Sequence, residues 1–169
     1  MSVKKQAPQG ETRTPQPNSR KCFVCGIANP IGLKIRFLNT GPGSIEARLT
    51  LTEYYQSYPG IAHGGIVATI LDETMGRSIL SVDEGRLMYT GKMELRYRHP
   101  VPLDTEILFR GWIVKDRQRI AQVAGEAVLP DGTVAVEATS TVVMIPSEEL
   151  ASMNTDDVGW RVYEDHEFD

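Results

Sequence analysis

The segment Gly64-Gly65-Ile66-Val67-Ala68-Thr69-Ile70-Leu71-Asp72-Glu73-Thr74-Met75-Gly76 constrains this chain more than any other. On a helix at about 100° per residue, Ile66, Val67, Ala68, Ile70, Leu71 and Met75 cover more than half the circumference. A helix so broadly apolar has to be wrapped rather than laid on a surface. The pattern predicts a buried helix over 65–80, set off from what precedes it by Tyr58-Pro59-Gly60. The chain after it can supply the wrapping. From Tyr89 the odd positions run Tyr89, Gly91, Met93, Leu95, Tyr97 and the even ones Thr90, Lys92, Glu94, Arg96, Arg98, a period of two with one wet face. Pro100 and Pro102 end that strand. Residues 106–115 and 120–129 read as further strands, Pro130-Asp131-Gly132 as a hairpin turn, and 133–145 as a last strand stopped by Pro146. Ahead of the helix, 33–37 and 45–51 read as a hairpin about Thr40-Gly41-Pro42-Gly43. Strands on both sides of one buried helix make an α+β arrangement in which an antiparallel sheet curls about the helix. The four later strands can follow one another as a meander.

Charge divides the 169 residues into three parts. Residues 1–21 hold Lys4, Lys5, Arg13, Arg20 and Lys21 against Glu11, for +4, with Pro8, Pro15 and Pro17 and almost no large apolar side chain. Such a stretch buries too little to offset its ordering entropy, so a disordered basic head is expected. The acidic tail, 147–169, carries eight acids against Arg161, a balance of −7. Trp160, Val162, Tyr163 and Phe168 could dock part of it, so it is expected to be partly ordered at most. The folded unit is then 22–146. A net charge of −4 argues against nucleic acid as the main partner. No apolar run approaches the ~18 residues of a membrane span, and Met1–Lys21 is polar throughout, unlike a secretory leader. Two cysteines make no disulfide framework. The expectation is a cytoplasmic protein free of the membrane.

The chemistry concentrates at His63-Gly64-Gly65 and Asp72. The first amides of a helix lack internal partners and the macrodipole makes that end positive, so a carbonyl oxygen gaining charge is stabilised there. Glycine lets a ligand approach the backbone. Asp72 lies on a stripe of small or polar residues, Gly65, Thr69, Asp72 and Gly76, with no basic neighbour at ±3 or ±4. Glu73, by contrast, has Arg77 at i+4. A carboxylate without a partner in an apolar helix is costly unless something engages it. The alternatives are catalysis, or a bond to loop amides that only holds the fold. The small stripe also admits a close neighbour, expected from a second subunit.

The run Tyr58–Gly76 resembles the signature of the hotdog-fold acyl-CoA thioesterases, in the phenylacetic-acid-degradation (PaaI-like) branch that includes the mammalian THEM-type enzymes. Cys22-Phe23-Val24-Cys25-Gly26-Ile27-Ala28-Asn29-Pro30-Ile31-Gly32-Leu33 and Leu95-Arg96-Tyr97-Arg98-His99-Pro100-Val101-Pro102-Leu103 are similar to other stretches of that branch. The resemblance implies a hotdog fold, a long helix wrapped by five to six antiparallel strands. It implies a homodimer, or dimer of dimers, with active sites at the interface and acyl-CoA as substrate. It implies that Gly65 N–H donates to the thioester oxygen, that His63 shapes the turn, and that Asp72 is nucleophile or general base. Gln56 matches a polar position that places carbonyl or water, and Thr90 a hydroxyl that orients the water. Ser57 stands where other branches carry Asn. Gly64, Met75, Arg96 and Arg98 are the expected substrate contacts, with Lys92, Arg117 and Arg119 as further cations for CoA phosphates and Ile79 beside Met75 along the acyl group.

Other chemistries find less support. Cys22-x-x-Cys25 lacks two further zinc ligands, which only His63, His99 and His166 could supply as histidines, so no metal and no cofactor is expected. There is no G-x-S-x-G, Walker loop or G-x-G-x-x-G. The alternatives to a thioesterase are a non-catalytic acyl-CoA-binding hotdog protein or a hotdog hydratase or dehydratase.

Overall fold

A computed structural model describes residues 13–152 and 158–168. Helix α1 (Gly64–Leu80) begins one residue before its expected start. Val67, Ile70, Leu71, Met75 and Ile79 on its core side are buried. The stripe of Gly65, Thr69, Asp72 and Gly76 stays at least partly open, so the single chain wraps the helix on all flanks but one.

Among the described residues, seven antiparallel strands form one sheet. They are β1 (Thr14–Pro15), β2 (Leu38–Gly41), β3 (Ser44–Thr50), β4 (Met88–Tyr97), β5 (Glu106–Asp116), β6 (Ile120–Val128) and β7 (Val134–Met144), in the order β1-β2-β3-β5-β6-β7-β4. The strands from β3 on match the expected ones to within a residue or so. β5, β6 and β7 form the expected meander, but β4 does not precede it in space. Helix α1, about 25 Å long, touches β3, β5, β6, β7 and β4 and delivers the chain to the far edge, where β4 pairs with β7 alone. β5 returns to pair with β3, from Ser44 opposite Trp112 to Thr50 opposite Glu106.

The expected strand at 33–37 is a correction. Leu33, Ile35 and Phe37 are buried and Lys34 and Arg36 less so, so the alternation is real. Their backbone bonds nevertheless go to loop segments: Leu33 N–H to Phe23 O, Ile35 N–H to Val24 O, and Gln16 N–H to Phe37 O. The ladder starts only at Leu38.

The disordered head is a second correction for its described part. Within Arg13–Lys21 the side chains of Gln16, Asn18 and Ser19 are buried, and β1 adds the seventh strand against β2. Buried Asn18 donates to Cys25 O at 2.7 Å and Ile35 O at 2.8 Å, and its backbone bridges to Arg161. Buried Arg77 donates to Glu73 at 2.8 Å and to Pro17 O at 2.8 Å, and lies over the rings of Phe37 and Trp160. Side-chain amides and one guanidinium, rather than apolar bulk, hold this segment. Residues 1–12 lie outside the described residues. In the tail, α2 (Ser147–Ser152) and Val158–Phe168 are described; Tyr163 is buried and Phe168 lies under Arg36.

Two glycines set how close the helix comes. Gly111 and Gly125 face each other across β5 and β6. A Cβ on Gly111 would lie 2.8 Å from Thr74 O, and one on Gly125 2.8 Å from Met75 Cγ. Gly111→Ala is therefore expected to push α1 off the sheet and cost about 1–3 kcal/mol. A urea melt of the variant against the parent checks this.

Candidate active site

His63 caps α1. Its extended backbone turns the chain into the helix, and its Nδ1 accepts the Gly65 N–H at 3.0 Å. Its carbonyl accepts from Ile66 and Val67. The Gly64 N–H makes no hydrogen bond among the described residues. This reverses the expectation for the two glycines: the Gly65 amide is engaged by the imidazole, and the open donor is one residue earlier. Tyr97 Oη donates to Gly64 O at 2.7 Å and ties this end of the helix to β4. Burial pushes the Tyr97 phenol up, so it remains a donor at neutral pH.

Asp72 lies two turns further on, half-buried, and its Oδ1 accepts from Thr90 Oγ1 at 2.6 Å. Strict alternation would put Thr90 on the wet face with Lys92. The register between β4 and β7 slips at this point, with Thr90 opposite Val142 and Lys92 opposite Thr141. Gly91 is the extra residue of a bulge, which re-aims the preceding side chain. A lone glycine inside an alternating strand is the signal that marks such a bulge.

Gln56 is exposed, and its Oε1 accepts the Gly60 N–H at 3.0 Å, closing the loop ahead of His63. A groove of about 410 Å³ runs beside the helix start, lined among others by Ser57, Gly64, Val67, Tyr97, Arg98 and His99. Arg98 reaches this groove while paired with Glu137 at 2.7 Å. Arg96 is exposed on β4. Met75 is a correction: it is 0% exposed, as is Ile79, and packs under Gly125. Neither touches an open site. Asp72 does not line the groove either, so the single chain holds Asp72 with Thr90 in one place and Gly64 with Tyr97 and Arg98 in another.

The residues matching the model of the thioesterase superfamily are 59–136, from the loop before His63 to the start of β7. Over that stretch, a little under half of its residues, this chain is similar to the thioesterase superfamily. Its one long helix and antiparallel sheet are the hotdog fold of that superfamily. Human acyl-coenzyme A thioesterase 13 is 24% identical over 88 residues, covering 52% of this chain and 63% of the human protein. Mouse acyl-coenzyme A thioesterase THEM4 is 30% identical over 97 residues, 57% of this chain and 41% of the mouse protein. The match thus spans less than two thirds of either relative. The crystal structure of a thioesterase superfamily protein, RHA08564, superposes with a TM-score of 0.66 at 28% identity, over 73% of this chain and 60% of that one. No helix among the described residues is long and apolar enough to cross a membrane.

A second cluster lies on another flank of α1. Cys25 is buried and Cys22 half-buried, both as free thiols. Hydrogen bonding from the Cys25 thiol, aided by the backbone amides of Cys25 and Val24, holds the Cys22 thiol well below the ordinary range. The same pairing, with burial, pushes Cys25 up. Alkylation of Cys22 in reduced, metal-free protein should therefore rise with pH through a midpoint below the ordinary thiol value of about 8.5 and level off, while Cys25 stays silent. Mass spectrometry of iodoacetamide-treated protein across a pH series checks this.

Proposed function

We propose that this protein is an acyl-CoA thioesterase that hydrolyses the thioester to free acid and CoA in sites shared between two copies of the chain. The observation that carries the reading is the spacing of Gly64 and Asp72. Eight residues of helix at 1.5 Å each separate them by about 12 Å, whereas groups acting on one carbonyl must come within about 3–3.5 Å of its atoms. One chain cannot use both on the same thioester. β4 is a ten-residue edge strand paired on one side only, a ready template for a second copy. An antiparallel pair about a two-fold axis midway along β4 sets Thr90 of one copy against the Tyr97 end of the other. Asp72 and Thr90 then face the groove beside the other copy's Gly64.

In such a site the Gly64 N–H, at the positive end of α1, takes the charge that develops on the thioester oxygen. His63 holds the turn by engaging Gly65. Asp72 is the general base for water or the attacking nucleophile, and Thr90 orients its carboxylate. Gln56 keeps the loop beside the groove in place. The acyl group lies along Val67 and Tyr97 rather than Met75, and Arg98 and Arg96 meet the anionic end of CoA. The names of the curated relatives support acyl-CoA as the substrate class. The pair of unbridged thiols fits the reducing, cytoplasmic setting read from composition. Pairing of two such dimers completes the reading.

Free-thiol release from short, aromatic and long acyl-CoAs tests this. Asp72→Asn should lose about 100-fold or more in kcat. Gly64→Pro should lose about 10²–10³ with the fold intact. Proline is tolerated at the first helical position, and the extended His63 suits a residue preceding it. Refolded together, the two variants should recover about a quarter of parental activity, because half the dimers are hybrids holding one intact site. A mixture no more active than its components would overturn the shared site. Tight acyl-CoA binding without thiol release in the parent would make this a binding protein instead.

A further inference from the structure

We propose that Cys22, Cys25 and Glu73 form a binding site for a thiophilic divalent cation of the zinc class. The two sulfurs and a carboxylate oxygen of Glu73 lie within 4.8 Å of one another. The pair sits on the loop that follows the packed head, and Glu73 on helix α1, about fifty residues away. No spacing rule applied to the sequence could supply that third ligand, because the fold alone brings it beside the pair.

The loop has the build of a ligand-bearing turn. The Val24 and Cys25 amides donate to Cys22 Sγ at 3.3 and 3.5 Å, and the Gly26 N–H donates to Cys22 O at 2.9 Å. A Cβ on Gly26 would fall 2.2 Å from that oxygen, so the turn needs glycine directly after the second cysteine. Amides aimed at a sulfur orient a thiolate and support its charge, as outer-sphere partners do around metal ligands. Ser19 Oγ lies 3.5 Å from Cys25 Sγ on the buried side. On the helix side, Arg77 donates to one oxygen of Glu73 through Nε at 2.8 Å. Two thiolates, one carboxylate and the Arg77 guanidinium sum to −2, which a divalent ion neutralises. Any protons the thiols carry leave to solvent as the metal–sulfur bonds form. Zinc–sulfur bonds of about 2.3 Å draw tetrahedral ligands to just under 4 Å apart, a small side-chain adjustment from the present spacing. Two sulfurs select a soft or borderline ion over Mg2+ or Ca2+. Three protein ligands leave a fourth position for water, on the side where Glu73 is 27% exposed.

The test uses the full chain, reduced and stripped with a chelator, then titrated with Co2+ and competed with Zn2+. One Co2+ per chain is expected, with a thiolate-to-cobalt charge-transfer band that Zn2+ abolishes. Cys22→Ser and Cys25→Ser should each lose the band, and Glu73→Gln should weaken Co2+ binding about tenfold or more, with circular dichroism verifying each fold. Glu73→Gln also loosens Arg77, so a second readout uses the parent protein alone: saturating Zn2+ should protect Cys22 from alkylation. Absence of the band together with unchanged alkylation of Cys22 in saturating Zn2+, both thiols being reduced, overturns the site.

Discussion

A helix has a fixed rise, and that rigidity governs both the fold and the site. Gly111 and Gly125 let α1 lie against β5 and β6 at backbone distance, so Thr74 and Met75 are packed with no exposure. A helix held that closely cannot bend to bring its first turn toward its third. The open amide of Gly64 and the carboxylate of Asp72 therefore stay about two turns apart. The proposed division of the site between two chains follows from this separation rather than from any property of an interface.

The sheet order makes that division workable. Because α1 carries the chain across to the far edge, β4 becomes a long edge strand instead of an interior one. Its two ends hold the two halves of the proposed site, Thr90 against Asp72 and Tyr97 against the Gly64 carbonyl. The opposite edge is the two-residue β1, too short to serve as a comparable template.

Around the other flank of the helix, Arg77 organises the terminal segments. Burying a guanidinium is costly without partners, and this one collects the Glu73 carboxylate, the Pro17 carbonyl and the faces of Phe37 and Trp160. Those partners come from the helix, the head, the loop before β2 and the tail. The same packing presents Cys22 and Cys25 to Glu73. Segments poor in apolar side chains are thus ordered by hydrogen bonds and one buried charge, which hydrophobic patterning does not detect.

What could be read directly from the residues was what depends on local periodicity and short spacing. The breadth of the apolar stripe marked α1 as buried, alternation and turn residues located β3 to β7, and His63-Gly64-Gly65 with Asp72 marked the stretch from which the candidate site is built. Several things needed the tertiary structure. Leu33–Phe37 alternates like a strand yet finds no ladder, because its amides meet loop carbonyls. Thr90 reaches Asp72 only through the bulge at Gly91. Met75, apolar and on the right helix, proved to be sealed beneath Gly125. Which glycine amide stays open was decided by the rotamer of His63. Periodicity reports which way a side chain points from its own backbone. It carries no information about what arrives from fifty residues away, and hydrogen-bond partners, edge position and the Glu73 carboxylate beside two thiols are all set by such arrivals.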